Sequence, residues 1–261
     1  MEYYMTNERI TEYLKALENE ERAAATIEKY RRAILNFAAF LSGTAVTPET
    51  IRLWKDELHG KNYAPSTINT YLAALNGFFR FCGWTDCRAR FLKIQRRLFR
   101  DSKQELTRAE YERLVAAAEA AGDHGLALLM ETICSTGIRV SEVQYITVEA
   151  AKNGKAEIAL KGKIRTILLP SKLCRKLLKF AARQKTASGA IFRAKSGNAM
   201  SRYQIWSKMK KLCERAGVDA EKVFPHNLRH LFATAFYRAY KDIVKLADVL
   251  GHSSIETTRI Y

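Results

Sequence analysis

Four short segments in the second half of the chain combine side chains that are suited to binding an anionic group. In one of them, Gly137 allows a helix to stop and Arg139 begins the next helix, where Glu142 can orient the guanidinium. In another, His226 and Arg229 lie three residues apart, so on a helix they share a face and can converge on one anion. The other two segments are a basic turn, Lys161-Gly162-Lys163-Ile164, and Leu250-Gly251-His252, which is followed nine residues later by Tyr261.

Apolar periodicity predicts a mainly α fold with one small β-sheet, and it divides the chain into two parts. Residues 1–85 contain four amphipathic runs, which predict a small helical bundle with its aromatic stripe in the core. Thr47 and Pro48 are typical of a helix start, and this helix is predicted to end near Gly60. Ser66 is predicted to cap the fourth helix, which ends at Gly83.

The second part is predicted to begin at residue 105, because Thr107 and Glu110 form a capping-box pattern. A helix over 123–135 and a helical turn over 139–146 precede two strands, 156–160 and 165–169, which are joined by the basic turn at 161–164. Helices are expected over 171–184, 201–216, 227–240 and 242–250. We therefore expect a mostly helical second domain with a two-stranded sheet.

The charge is unevenly distributed along the 261 residues, whose formal net charge is +17. Residues 1–85 hold 10 basic and 10 acidic side chains, whereas residues 86–103 hold 7 basic and 2 acidic ones. A basic segment of this density can follow a phosphate backbone and release counterions on binding, so the pattern favours nucleic acid as the partner. The predicted phosphate contacts in the connecting segment 86–104 are Arg88, Arg90, Lys93, Arg96, Arg97 and Arg100, with Lys103 in the same cluster.

Other functional classes are disfavoured by the composition. No run of about 18 apolar residues is present and the first thirty residues are charged throughout, which argues against a membrane partner or a secretory signal. The five cysteines are scattered, which favours free thiols in the cytoplasm over disulfides or zinc. Metal-dependent DNA cleavage needs clustered carboxylates, and the acids of the second part are scattered, so we expect neither a metal nor another cofactor.

Three of the segments resemble the motifs of the tyrosine recombinase family, which includes phage integrases and Xer-type proteins. They read Thr136-Gly-Ile-Arg139-Val-Ser-Glu142, His226-Asn-Leu-Arg229-His230-Leu-Phe-Ala-Thr234 and Leu250-Gly-His252-Ser-Ser-Ile-Glu-Thr-Thr-Arg-Ile-Tyr261. Because they occur in order along the chain, the resemblance covers essentially all of it. It implies a SAM-like four-helix core-binding domain at 1–85, a basic linker at 86–104 and an α+β catalytic domain at 105–261.

The resemblance also implies a reaction, namely site-specific cleavage and rejoining of DNA strands. Arg139 and Arg229 are expected to bind the non-bridging phosphate oxygens, because guanidinium forks match phosphate geometry and stay protonated. Tyr261 is expected to be the nucleophile that forms a 3′-phosphotyrosyl intermediate, which retains the bond energy and requires no ATP.

The remaining roles follow from the same resemblance. The family's proton donor to the 5′-oxygen is a lysine in the basic turn, which here is one residue shorter than the common pattern. We assign this role to Lys161. Lys163 and Glu142 are expected to have supporting roles. His226 and His252 are expected to hydrogen-bond the phosphate and assist proton transfer. His230 is expected to be structural.

The expected partner is double-stranded DNA that carries specific recombination sites. Polar residues that precede or line the fourth helix are predicted to face a DNA groove; they are Ser66, Thr67, Asn69 and Thr70, with Asn62 and Tyr63 nearby. By resemblance, four protomers act on two DNA sites through a Holliday junction, and the free protein is a monomer or a weak oligomer.

Two other functions stay open on the sequence alone. A type IB topoisomerase-like enzyme shares the chemistry and acts as a monomer without sequence preference, and a non-catalytic DNA-binding protein could keep the fold. Within the recombinase hypothesis, integration of a mobile element and resolution of chromosome dimers are equally open. Family members normally continue beyond the tyrosine into a segment that docks on a neighbouring protomer, so for a chain ending at Tyr261 we expect intact DNA binding and weakened strand transfer.

Overall fold

The computed structural model describes residues 2–94, 104–160, 163–252 and 254–259, apart from the side chains of residues 160 and 163. The chain divides into two compact units, Met1–Arg96 and Arg97–Tyr261, each with its own hydrophobic core. The predicted fold class, mainly α with one small β-sheet, is confirmed. In the described part of the chain, no helix has the length and apolarity that crossing a membrane requires.

Four helices form the first unit, as the apolar periodicity predicts. The aromatic stripe is core, since Phe37, Trp54 and Phe78 are completely buried. The buried indole of Trp54 donates its Nε1–H to Oδ1 of Asn36 at 3.0 Å, which satisfies the one polar group that its burial removes from water. The helices are α1 (Asn7–Asn19), α2 (Ala24–Leu41), α3 (Pro48–Gly60) and α4 (Pro65–Phe81).

The start of α3 is predicted correctly and the start of α4 is not. Thr47 caps α3 by accepting from Thr50 N at 3.1 Å, and Pro48 occupies its first turn. At α4, however, the N-cap is Ala64 and makes no side-chain capping bond, while Ser66 already lies in the first turn. Pro65 determines this start, because its fixed φ is that of a first helical residue and its missing N–H costs nothing there.

The chain that follows α4 packs back onto the bundle. It turns at Gly83, whose φ of +74° is readily adopted by glycine, and then buries Trp84, Cys87 and Ala89 in the core of the first unit. The predicted linker 86–104 therefore begins, in its described part up to residue 94, as a segment held by the bundle. The remaining linker residues 95–103 lie outside the described residues.

The second unit is built around α6, which packs against α5, α8 and α11. Its first helix opens with the predicted capping box, in which the Thr107 N–H donates to Glu110 Oε2 at 2.8 Å. The helices are α5 (Arg108–Ala120), α6 (His124–Thr136), α7 (Val148–Asn153), α8 (Ser171–Arg183), α9 (Arg202–Lys210), α10 (Cys213–Ala216), α11 (Pro225–Tyr240) and α12 (Ile243–Leu250), with 3₁₀ helices at Val140–Tyr145, Ala220–Lys222 and Ile255–Thr257.

The sheet is one antiparallel hairpin of β1 (Lys155–Leu160) and β2 (Lys163–Leu168). Its register pairs Lys155 with Leu168 and Leu160 with Lys163, so the connection is residues 161–162 instead of the predicted 161–164. The predicted strand starts too late because Ile164 pairs with Ala159 and extends the ladder toward the turn.

Two helices differ from the prediction in the second unit. The predicted helix 201–216 is divided into α9 and α10, and neither a glycine nor a proline marks the division. The short helix α7 was not predicted, because six residues carry too little periodicity. Its local signal is Thr147, which caps it by accepting from Ala150 N at 3.1 Å.

Candidate active site

The end of α6 positions Arg139 next to a buried carboxylate. Gly137 ends the helix with φ +66°, and a Cβ at this position would collide with the ring of Phe232. Arg139 then donates from its main-chain N–H to Glu142 Oε2 at 2.7 Å and from Nη1 to Oε1 at 3.0 Å. The Glu142 side chain is only 2% exposed while that of Arg139 is 42% exposed. The carboxylate thus orients a guanidinium that stays accessible to a ligand.

Arg165 on β2 is a second cationic partner of the same carboxylate. Its Nη2 donates to Glu142 Oε2 and its Nη1 donates to the Val249 carbonyl at 3.3 Å. Burial lowers the pKa of the Arg165 guanidinium from its usual value, and Glu142 opposes that shift. The side chain lies against Gly251, where a Cβ would stand 2.6 Å from Cδ of Arg165. Gly251 is therefore needed both for its φ of +64° and for the space that Arg165 fills.

Arg229 is the buried arginine of the site, with 2% of the residue exposed in the second turn of α11. Its Nη1 donates to the Gly137 carbonyl, and its Nη2 donates to the Leu250 carbonyl at 2.7 Å. The same Nη2 lies 3.0 Å from Nε2 of His252. A guanidinium is always protonated in proteins, so this contact requires Nε2 of His252 to accept the hydrogen bond.

The acceptors that hold the arginines come mainly from two helix ends. Gly137 is the C-cap of α6, and Val249, Leu250 and Gly251 close α12. Arg139 completes the set by donating from Nη2 to the Gly251 carbonyl at 3.3 Å. The last carbonyls of a helix lack partners within it, and they carry the negative end of its dipole. Three guanidinium groups are thus held by main-chain dipoles and one shared carboxylate, which leaves the cluster with net positive charge.

His252 is neutral at pH 7 and its ring is fixed from both sides. Burial lowers its pKa to about 4, and the nearby charges of Arg229, Arg139 and Arg165 act in the same direction. Nδ1 lies 2.8 Å from Oγ1 of Thr258, a completely buried threonine. With Nε2 accepting from Arg229, the ring proton is on Nδ1 and is donated to Thr258.

His226 and His230, the two histidines of α11, have different surroundings. His226 is the second residue of the helix and is exposed, and its charge also lowers the pKa of His252, which brings it within electrostatic reach of the cluster. His230 is 5% exposed, with Nδ1 3.4 Å from Thr234 Oγ1 and Nε2 3.7 Å from Glu105 Oε1. These surroundings suit the structural role predicted for His230.

Three predicted residues of the site lie wholly or partly outside the described residues. Tyr261 and Lys161 are outside altogether. Lys163 is the first residue of β2, and its side chain is not described. Among the described residues, no group of three or more His, Cys, Asp or Glu side chains could hold a metal ion.

Two residues of the cluster were not assigned from the sequence. Arg165 lies within the predicted β2 strand, where a basic residue has no distinctive signal, and only the fold brings it to Glu142. Thr258 belongs to the third motif without a predicted role. The signal available for it was position, since Thr258 stands six residues after His252 and three before Tyr261.

Most of the predicted DNA-contact residues that the structure describes are exposed, and the others lie outside the described residues. Arg88, Arg90 and Lys93 are exposed, and the helix residues Ser66 and Thr70 are exposed with Thr67 half-buried. Thr70 also bonds back to the Ser66 carbonyl at 2.9 Å. Arg96, Arg97 and Arg100 lie outside the described residues.

Asn69 differs from its predicted role in a DNA groove. Its Nδ2 donates to the Leu92 carbonyl at 2.9 Å, and its Oδ1 accepts from the Leu92 N–H at 2.8 Å. Both ends of its amide are thus occupied by the main chain of the same unit. A polar helix face that holds another segment looks, in sequence, like one that meets a ligand, so these bonds were not expected from the sequence.

Two family models match the chain and two curated relatives span nearly all of it. Residues 10–85 match the phage integrase N-terminal SAM-like domain, and residues 104–261 match the phage integrase family. Tyrosine recombinase XerA of Pyrococcus furiosus is 29% identical, over 98% of this chain and 90% of that protein. Tyrosine recombinase XerD of Brucella suis is 30% identical, over 97% of this chain and 91% of that protein.

Solved structures share the fold at lower identity. A lambda integrase dimer bound to a COC′ core site has a TM-score of 0.78 at 18% identity, covering 98% of this chain and 78% of that one. XerH recombinase bound to its difH substrate has a TM-score of 0.73 at 20% identity, covering 98% and 82%. The resemblance seen in the sequence motifs is confirmed, and the chain belongs to the phage integrase family of tyrosine recombinases.

Proposed function

We propose that the arginine cluster binds one DNA phosphodiester group and supports site-specific cleavage and rejoining of the strand. The observation that carries the proposal is the set of three guanidiniums held close together: Arg139 and Arg165 share the Glu142 carboxylate, and Arg229 is held by the Gly137 and Leu250 carbonyls. Its net positive charge is held in place before any ligand arrives. Such preorganised donors stabilise charge that develops on non-bridging oxygens during in-line displacement.

The proposed role of each described side chain follows from its exposure. Arg139 is the accessible donor to the phosphate, while the buried Arg229 fixes the position of His252 and lends its charge to the site. His252 is neutral, so the lone pair of its Nε2 accepts from Arg229 and the ring adds no further positive charge to the cluster. The exposed His226 adds a second hydrogen-bonding ring at the N-terminus of α11, where helix N–H groups also favour an anion.

The chemical step is assigned to Tyr261 and the turn lysine on the basis of the family motifs. The Tyr261 Oη attacks phosphorus and forms a P–O bond, the bond from phosphorus to the 5′-oxygen breaks, and the phenol loses its proton to a base in the site. The departing 5′-oxygen takes a proton from Lys161, with Lys163 in support. The covalent 3′-phosphotyrosyl link preserves the bond energy, and attack by a 5′-hydroxyl reverses the same steps.

We extend the proposal to assembly and location. A lambda integrase tetramer has been solved on a Holliday junction, and by analogy we propose that four copies of this chain act on two DNA sites. The five cysteines are free and the substrate is DNA, so we propose the cytoplasm as the place of action. Integration of a mobile element and resolution of chromosome dimers are the two reactions that we propose for such an assembly.

The test of the chemistry is a suicide DNA substrate that carries a nick close to the scissile bond. The wild-type chain should form a covalent adduct with it, visible as a protein band of reduced mobility in denaturing electrophoresis. Tyr261→Phe should bind the duplex equally well and form no adduct, and Arg139→Ala should form it much more slowly. Equal adduct formation by Tyr261→Phe would remove Tyr261 from the mechanism.

A further inference from the structure

Two asparagines of α4 hold the chain that follows the bundle by its main chain. Asn76 accepts from the Ala89 N–H at 2.9 Å and donates to the Ala89 carbonyl, also at 2.9 Å. Asn69 makes the corresponding two bonds with Leu92. Each side-chain amide thus satisfies both polar groups of one residue, as the backbone of a neighbouring strand would. Asparagine suits this task because its amide carries a donor and an acceptor together.

The spacing of the asparagine pair, Asn69 and Asn76, fits the segment that it holds. Seven residues of a helix rise about 10.5 Å, and three residues of extended chain span about 10 Å. The order is antiparallel, because the earlier asparagine holds the later residue. Two attachment points at matching distances fix the register, since a shift by one residue would break both pairs of bonds.

This register decides which side chains of the segment face solvent. Burial alternates from residue 87 to residue 90, with Cys87 and Ala89 in the core and Arg88 and Arg90 exposed. Beyond Arg90 the alternation ends, and Lys93 is exposed next to the half-buried Leu92. A shift by one residue would turn the arginines toward the core. The segment has a further attachment, because Lys55 Nζ lies 3.5 Å from the Arg90 carbonyl.

One of the exposed cations lies beside an arginine of α4. Arg88 and Arg80 line the same cleft of about 430 Å³, in which the Arg22 side chain is paired with Glu20. A fixed main chain lowers the ordering that these cations must undergo when they bind a polyanion, so more of the counterion-release free energy appears as affinity.

We propose that Asn69 and Asn76 are positioning residues for DNA binding, which hold Arg88, Arg90 and Lys93 as a preformed row of phosphate contacts. The inference rests on the proposed function, since it concerns how the same protein holds its DNA. The asparagines touch no DNA in this proposal. They act through the cations, and removing the cations should therefore make the asparagines irrelevant to affinity.

The experiment measures the affinity of the full chain for a short fluorescein-labelled duplex by anisotropy, over about 50 to 200 mM salt. The double variant Asn69→Ala/Asn76→Ala should lose about tenfold in affinity, and its log–log salt slope should fall by about 1 to 2, the equivalent of one or two phosphate contacts. Hydrogen exchange at the amides of Ala89 and Leu92 should accelerate in the same variant, which reports directly on release of the segment.

The matched control is Asn36→Ala, which removes an asparagine bond to Trp54 in the same bundle without touching the segment. It should keep the wild-type affinity and slope. In the background Arg88→Ala/Arg90→Ala/Lys93→Ala, the asparagine substitutions should change affinity by less than about twofold, because residues that act through one another are not additive.

Three outcomes would overturn the proposal. They are wild-type affinity and slope in the double asparagine variant, a tenfold loss that persists without the three cations, or wild-type affinity in the triple cation variant. Failure of the wild-type chain to bind any duplex would instead contradict the proposed function. If the double variant does not fold, Asn76→Asp replaces it, because its carboxylate keeps the bond from the Ala89 N–H and loses the donor to the Ala89 carbonyl; it should show a smaller loss in the same direction.

Discussion

His252 stays unprotonated among three guanidinium groups, and this determines what the residue can do. Burial and the neighbouring positive charges lower its pKa to about 4, so at neutral pH Nε2 has a lone pair. Because Nε2 accepts from Arg229, the ring proton is on Nδ1 and is donated to Thr258. A ring held in one tautomer faces the site with the same atom at every encounter with the substrate, which lowers the reorganisation that the reaction requires.

Replacing Thr258 with valine should slow strand cleavage while leaving DNA affinity unchanged. The substitution keeps the shape and removes the acceptor of the His252 Nδ1–H bond, so the ring loses one of the two contacts that fix its orientation. We expect the rate of adduct formation on the nicked substrate to fall about tenfold, which corresponds to about 1.4 kcal/mol. Thr258→Ser should restore it, and Thr257→Val, at the exposed neighbouring threonine, is the control. A change in the ¹⁵N shifts of the His252 ring would identify the cause, whereas an unchanged rate would remove Thr258 from the site.

His252 should also make folding stability depend on pH. Its folded pKa of about 4 lies below the ordinary value of 6.5, so its contribution is complete above pH 6.5 and is lost as the pH falls toward 4. Denaturant unfolding of the DNA-free protein at pH 7 and pH 4 should show a larger decrease in the free energy of unfolding for the wild type than for His252→Asn. Equal decreases would contradict the depressed pKa.

Among the single residues of the site, those that belong to a contiguous motif could be predicted from the sequence. Those that only the fold brings next to the arginine cluster could not. Arg139, Arg229 and His252 meet in the structure as expected. Arg165 reaches Glu142 from a strand 23 residues away in sequence, and no local pattern distinguishes it from the other basic residues around the turn. The bonds of Asn69 to Leu92 were also not expected, because polarity on a helix face does not reveal what the face contacts.

At the level of elements, two helix ends and the turns that close them build the site. Both α6 and α12 end at a glycine with positive φ, and the carbonyls near these ends accept from the arginines. Each glycine therefore ends its helix and also leaves main-chain carbonyls in positions where they accept hydrogen bonds from the arginines.

Gly251→Ala should destabilise the protein more than Gly217→Ala, although both glycines end helices with similar φ values of +64° and +58°. Each substitution strains the backbone by about 1 kcal/mol. At Gly251 the new Cβ also meets the Arg165 side chain at 2.6 Å, whereas nothing lies within 4 Å at Gly217. We expect an additional 1–3 kcal/mol from overpacking at Gly251, together with slower cleavage, in urea unfolding and adduct assays. Equal effects of the two substitutions would show that Arg165 adjusts freely.

The elements with strong local signals were the ones that the sequence predicted well. The Thr47 and Thr107 caps place their helix starts correctly, because their bonds form within three residues. The hairpin connection and the start of α4 were displaced by two residues or fewer, since strand pairing and Pro65 outweighed the apparent turn and the serine. The division between α9 and α10 has no local signal, since neither a glycine nor a proline lies between them.

At the level of the whole molecule, the basic residues behind the net charge of +17 form two sets. One set is expected to bind the DNA backbone, and the other forms the arginine cluster of the site. The helical bundle of residues 1–85 is balanced, and its basic surface comes mainly from the segment held against α4. In the second unit, three cations belong to the arginine cluster, two of them bound to Glu142 and the third to the Gly137 carbonyl. The remaining excess is available for phosphate contacts that carry no sequence information.

Affinity for DNA should therefore fall steeply with salt, for cognate and arbitrary duplexes alike. If the chain contacts about 6–10 phosphates, affinity should decrease by roughly 10³–10⁵ between 50 and 200 mM salt. Anisotropy titrations with two duplexes of different sequence should give parallel log–log lines. A shallow dependence would contradict the assignment of the excess charge to the DNA backbone.

The main-chain acceptors of the arginine cluster also influence how the site tolerates mutation. A carbonyl oxygen is present whatever residue occupies its position, so no single substitution can delete the acceptors that Val249 and Leu250 provide. Vulnerability is concentrated instead at the glycines that allow those carbonyls to converge. Random mutagenesis should find inactivating changes at Gly137 and Gly251 about as often as at the arginines, while Val249 varies freely among residues that fit the helix.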